Sequence, residues 1–157
     1  MTSDEPEDAG ELPFLVTDHL SLVTIPTAGR EALKPEFKEG LSTEVEMITT
    51  DAEKAPHLAR AVFSTPAMCA LMERTSLALV KPYLEEGENS VGAKICVSHI
   101  AATPIGMKVR GRSTVQAING RRITFAVEAY NEKEKIGEGT HERVVINPQK
   151  FAAKAQE

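Results

Sequence analysis

Cysteine is nearly missing from this 157-residue chain: Cys69 and Cys96 are the only two. So sparse a set makes no disulfide framework and is expected to stay as reduced thiols, which points to a cytoplasmic protein. No window approaches the roughly 18 continuous apolar residues of a membrane-spanning helix. The opening MTSDEPEDAGE is acidic and holds no apolar stretch, so it does not read as a secretory signal. An excess of positive charge is missing too. The formal net charge is −5, and Asp4, Glu5, Glu7, Asp8 and Glu11 account for all of it, because the other 18 acids match the 18 bases. A body this neutral is not expected to bind nucleic acid, and the acidic start reads as a disordered, solvating tail. The four histidines, His19, His57, His99 and His141, show no metal-ligand spacing. There is no G-x-S-x-G elbow, P-loop, Rossmann glycine pattern or H-E-x-x-H. Neither a metal nor a cofactor is expected.

What is present divides at about residue 34. Residues 1–34 read as an acidic N-terminal extension in which Pro13 and Pro26 interrupt LPFLVTDHLSLVTIPT, and residues 35–157 as one folded domain. STEVEMITT, 42–50, alternates as a strand with Val45 and Met47 on one face. A short connection leads to Thr65-Pro66, a helix start: threonine can cap the free amides of the first turn, and proline at the first helical position has no amide to leave unpaired. Lys81-Pro82 closes the helix, since the residue before proline is pushed out of helical geometry. SVGAKICVSHI, 90–100, reads as a strand with Val91, Ala93, Ile95, Val97 and His99 on one face. GMKVRGRSTVQAI continues as a strand, Asn119-Gly120 as a type I′ hairpin turn, and RRITFAVEAY returns with Ile123, Phe125, Val127 and Ala129 facing one way. THERVVIN, after the glycine-spaced IGEG, is the last strand. The expected order is strand, helix, then four strands in a meander. The helix is apolar on nearly every side, so it is expected to lie buried in a curved antiparallel sheet. That is an α+β fold, with a sheet edge that a second copy would cover.

Two residues disturb that apolar helix. Glu73 and Arg74 are its only charges between Pro66 and Val80. At helical spacing Glu73 has Cys69, Ala70, Ser76 and Leu77 for neighbours, none of which offers a salt bridge. Either the pair forms a narrow solvated stripe, or Glu73 is a carboxylate held in an enclosed site, where burial without partners is costly. His99 ends an otherwise aliphatic strand face and reads as a satisfied core residue or as a catalyst. Gly92, on the same strand, lets a ligand or another backbone come close. Cys69 sits inside the helix and reads as core rather than nucleophile.

The run from Phe63 to Asn147 resembles the thioesterases of the hot-dog fold, in the branch of fluoroacetyl-CoA thioesterase. TPAMCALMERTSLALVKPYLEEGENSVG, CVSHIAATPIGMKV, NGRRITFAVEAY and IGEGTHERVVIN carry the resemblance. It implies an acyl-CoA thioesterase with a catalytic set of Thr65, Glu73 and His99 at the interface of a homodimer, or of a dimer of dimers. It further implies that the Gly92 amide holds the thioester oxygen and that Arg143 contacts the CoA side of the substrate. Whether Thr65, Glu73 or water is the nucleophile stays open, as does CoA against a carrier-protein thiol. In the fluoroacetyl-selective branch an aromatic lid residue precedes the threonine by six positions. Here that position is Ala59, so a small or medium acyl group is the expected substrate. Lys94, Lys108, Arg110, Arg112, Arg121 and Arg122 either meet CoA phosphates or form a solvated outer face. The competing expectation is a non-catalytic hot-dog module that binds acyl-CoA or a protein partner; a hot-dog hydratase fits the quoted motifs less well.

Overall fold

The computed structural model describes residues 33 to 156. The extension expected at the N-terminus lies outside the described residues apart from its last two, Leu33 and Lys34. Five strands, β1 (Ser42–Ile48), β2 (Asn89–His99), β3 (Lys108–Asn119), β4 (Arg122–Asn131) and β5 (Lys135–Ile146), form one sheet in the order β1-β3-β4-β5-β2. All neighbours run antiparallel. A long helix, α1 (Thr65–Val80), packs on one face, and a short helix, α2 (Pro148–Lys154), follows β5. This is the α+β hot-dog arrangement expected from the sequence.

The core follows from the two periodicities. Met68, Leu71, Met72, Leu79 and Val80 project from one side of α1 at spacings of three and four. They meet Val109, Val115, Ile123, Phe125, Val127, Ala129, Ile136 and Val145, which alternate along β3, β4 and β5. Two serines also lie in this interface: Ser76 bonds back to the Met72 carbonyl and meets the Ser113 hydroxyl at 2.8 Å, so neither is left unpaired.

The structure departs from the sequence reading at five places. The last four strands are not one meander: β2 crosses to the far edge and pairs with β5, leaving only β3-β4-β5 joined by hairpins. The glycines of IGEG lie within β5 rather than before it. In the β3–β4 turn positive φ is confined to Gly120, at 59°, which is the sign pattern of a type II′ turn at Gly120-Arg121 rather than type I′ at Asn119-Gly120. The α1 helix is not enclosed all round, because Pro66, Ala70, Arg74 and Ala78 are exposed on the side away from the sheet. The fifth departure matters most for the site. Register shifts between Gly92 and Lys94, where Ala93 is an extra residue in a β-bulge. Ser90 and Gly92 therefore share the inner face with Ile95, Val97 and His99, while Val91 and Ala93 do not.

Close approach explains two of the glycines in β5. A Cβ at Gly137 would collide with the Met68 thioether, and one at Gly139 with the backbone at Cys96 and Val97. The β2 backbone cannot give way as a flexible side chain could. Gly139→Ala is therefore expected to destabilise the protein by about 1–3 kcal/mol, the usual range for overpacking. Urea denaturation checks this, and an unchanged midpoint would mean that β2 can shift.

Candidate active site

Two neighbouring hydroxyls divide the work at the start of α1. Ser64, not Thr65, is the N-cap, and its Oγ accepts the Ala67 amide at 3.3 Å. Thr65 is thus the first helical residue and its side chain is released from capping. Its Oγ1 instead meets His99 Nδ1, at the end of β2, at 2.8 Å. The other ring nitrogen, Nε2, is buried and has no hydrogen-bond partner among the described residues. Burial pushes the His99 imidazole below the usual 6.5, with the Ala101 backbone opposing in part. A neutral ring touching a hydroxyl can act as a proton acceptor near neutral pH.

The segment before α1 shapes the surroundings of this pair. What the sequence shows as a short connection is an ordered flap. Thr50 and Glu53 cap a 3-10 turn reciprocally, and Lys54 bridges to Phe63 and Val62 to Pro104. A cavity of about 670 Å3 opens between this flap and the residues after β2, with Thr65 and His99 in its lining. Phe63 is its buried floor, and Leu58, Val62 and Ile100 are apolar walls. Ala59 does not line it.

Glu73 stands elsewhere. It lies eight helical positions beyond Thr65, about 12 Å along the axis. Its carboxylate, with a side chain 46% exposed, reaches β2 and β5 rather than the Thr65–His99 pair. Oε1 lies 3.9 Å from His141 Nε2, and a Cβ on Gly92 would come within 2.6 Å of it. The lack of a side chain at Gly92 is what lets the carboxylate lie against the strand. Behind them, Arg143 is 6% exposed. Its Nε donates to Ser90 Oγ at 2.9 Å, Nη2 to the Ser90 carbonyl at 2.8 Å, and Nη1 approaches His141 Nε2 at 3.3 Å. Burial lowers the guanidinium's affinity for its proton, and Glu73 opposes that. Arg143, expected to contact the CoA side of the substrate, thus has these three nitrogens directed at Ser90 and His141 within the chain.

One chain therefore brings together Thr65 with His99, and Glu73 with Gly92 and Arg143, but not the two groups with each other. His141 and Ser90 were missed as parts of the second group. The available signal was the alternation His141, Arg143, Val145, which places two polar residues on the core face of β5. Of the basic residues considered for CoA phosphates, Lys108, Arg110, Arg121 and Arg122 form ion pairs with Glu46, Glu44, Glu88 and Glu142. Among the described residues, no three His, Cys, Asp or Glu side chains gather as a metal site, and no helix is long and apolar enough to cross a membrane.

Buried His141 and half-buried His99 predict an acid sensitivity. His99 and His141 both hold their protons less tightly when folded than the ordinary 6.5, chiefly because of burial. Between the folded and unfolded values the unfolded chain binds more protons, so stability rises with pH across that window. Thermal melting is expected to be level above about pH 7 and to fall as the pH drops below 6.5. The carboxylates of Glu53 and Glu128, held below 4.5 by their hydrogen bonds, add their own loss only at lower pH. A melting temperature flat from pH 7 to 5 would count against neutral, buried rings.

A five-stranded antiparallel sheet packed on one long helix is the hot-dog architecture. The comparisons agree. Residues 43–149 match the model of the family described as fluoroacetyl-CoA-specific thioesterase, and the chain belongs to that family. It is a thioester hydrolase by membership. The fluoroacetyl-CoA thioesterase of Streptantibioticus cattleyicolor is 45% identical over 96 residues, which span 61% of this chain and 69% of that protein. The solved structure of the fluoroacetyl-CoA thioesterase FlK superposes with a TM-score of 0.72 at 36% identity, covering 76% of this chain and 96% of that one. A thioesterase superfamily member from Thermus thermophilus superposes equally well, with a TM-score of 0.72 at 29% identity over 78% of this chain and 93% of its own.

Proposed function

We propose that this protein hydrolyses a small or medium acyl-CoA thioester to the free acid and thiol. One observation carries the reading: the Thr65–His99 hydrogen bond lies in the lining of an apolar cavity, the nucleophile–base contact that acyl transfer requires. His99 takes the Thr65 proton as the hydroxyl attacks the thioester carbonyl, and returns it to the departing thiolate. Water then hydrolyses the acyl-threonine with the same base. The Gly92 amide of a second copy stabilises the oxyanion at each step. At about 670 Å3 the cavity is of ordinary ligand-pocket size and has room for more than a two-carbon acyl group.

The distance from Thr65 to Glu73 is best accommodated by a homodimer in which the Glu73–Gly92 corner of a second copy faces the Thr65–His99 pair of the first. Two features favour this arrangement. Among the described residues β2 has a neighbour on one side only, and beside it Ile100 is 54% exposed. Among the described residues nothing covers the side of α1 away from the sheet, where Cys69 and Leu77 are only half-buried. A non-catalytic acyl-CoA-binding module has no use for the Thr65–His99 contact. The test is thiol release from acetyl-, fluoroacetyl-, phenylacetyl- and medium-chain acyl-CoA. Release from at least one, without a preference confined to fluoroacetyl, is the expected result. A folded protein that binds these esters and releases thiol from none is a binding module.

A further inference from the structure

We propose that His141 is a positioning residue of this enzyme, whose neutral imidazole clamps the β2 bulge and so sets the Gly92 amide and the Glu73 carboxylate in place. The inference rests on the thioesterase reading above. It starts from an oddity of the inner face: a histidine 1% exposed on a strand whose other core residues are mostly aliphatic. Its Nδ1 lies 2.8 Å from the Lys94 carbonyl. A carbonyl can only accept, so Nδ1 carries the proton and a neutral ring has its lone pair on Nε2. Arg143 Nη1, which can only donate, approaches that lone pair at 3.3 Å. The two contacts agree on one tautomer.

The same tautomer ties together both sides of the bulge. Past Ala93, the Lys94 carbonyl is held by His141 directly. Before it, Ser90 is held through its hydroxyl and carbonyl by Arg143, which itself leans on His141. Gly92 and Ala93 lie between these anchors, where the β2–β5 ladder is interrupted. The ring also packs on the bare Cα of Gly92, with Cε1 3.2 Å from the position a Cβ would take. Glu73 Oε1 is 3.9 Å from Nε2, beyond hydrogen-bond reach of an atom that has no proton to give. The carboxylate is thus flanked by the ring without being neutralised by it. Burial, then the Arg143 charge, weaken the ring's hold on a second proton against the opposing Lys94 carbonyl, Glu73 on α1 and Glu142 on β5. An amide that must point at a developing oxyanion tolerates little displacement, and a shift of about 1 Å can cost on the order of a hundredfold in rate.

The test compares wild type, His141→Leu and His141→Asn for kcat, KM and melting temperature with one hydrolysed acyl-CoA. His141→Leu fills the space but loses both bonds, and is expected to lower kcat about 10- to 100-fold with KM changed less than about twofold. His141→Asn keeps a donor for the Lys94 carbonyl and should recover part of the loss. A His141→Leu variant that melts lower yet keeps its kcat would make His141 an ordinary core residue. If that variant does not fold, nitrogen-15 NMR of the wild-type imidazole decides. A proton on Nδ1 alone at pH 7 is the expected result; a proton on Nε2 overturns the clamp. A wild type that releases no thiol from any ester sinks the thioesterase reading and the positioning role with it. A wild type that turns over beside an equally active His141→Leu sinks only the second.

Discussion

His99→Ala is expected to keep its fold and to lose about a hundredfold or more in turnover, the usual scale for a general base. The fold should survive because the ring's one side-chain hydrogen bond is to Thr65, an exposed residue whose hydroxyl can turn to water once the ring is gone. Turnover should not survive, because a threonine hydroxyl without an adjacent base is a poor nucleophile. The pH profile adds a second readout. In wild type kcat/KM should fall on the acid side with an apparent pKa below the ordinary 6.5, as burial of the ring requires. That limb should vanish in the residual activity of the variant. Thiol release at saturating substrate, with circular dichroism of the same samples, makes the measurement. An unfolded variant would mean that His99 is structural; a fully active one would remove it from the mechanism.

Glu73→Gln is expected to leave a stable protein with turnover reduced about 10²- to 10⁴-fold. The exchange is nearly isosteric and the side chain is 46% exposed, so packing changes little; what is lost is the negative charge that, across the proposed interface, orients the His99 ring and steadies its imidazolium. The variant also tests how subunits share the site. In a dimer built as proposed, His99→Ala and Glu73→Gln damage opposite halves. Exchanging subunits between the two inactive proteins should give mixed dimers with one intact site, or roughly a quarter of wild-type activity after random reassociation. Mixtures that stay inactive despite proven exchange would place all three residues in one subunit's site. Undiminished hydrolysis by Glu73→Gln alone would return Glu73 to a solvated stripe.

Much of this could be read from the sequence, and the failures have a common cause. The apolar spacing of α1 and the alternation of Ile123, Phe125, Val127 and Ala129 give helix and strand directly, because each pattern is local. The contact between Thr65 and His99 is not local. Residue types suggested its members, yet only the return of β2 past the helix start joins them. Ser64 and Thr65 are chemically alike to a capping rule, so the sequence could not say which would cap and which would be left to meet His99. The burial of Arg143 could not be read either, because a charged residue in an alternating strand is ordinarily at the surface. Only the tertiary pairing of its donors with Ser90 accounts for its burial. The bulge at Ala93 was invisible for a related reason: an extra residue in a strand leaves composition unchanged and alters phase alone.

That phase change makes β2 two short strands with opposite parity, joined at one residue. A β2 that kept all its residues but ran straight against β5, without the bulge at Ala93, could not satisfy both halves at once. If His99 kept its place beside Thr65, Val91 would take over the inward position of Gly92, and its side chain would fill the space in which the Glu73 carboxylate lies. If Gly92 kept its place, His99 would turn to the outer face. The bulge therefore acts as a phase corrector: it absorbs Ala93, so that one strand can present both Gly92 and His99 to the same face.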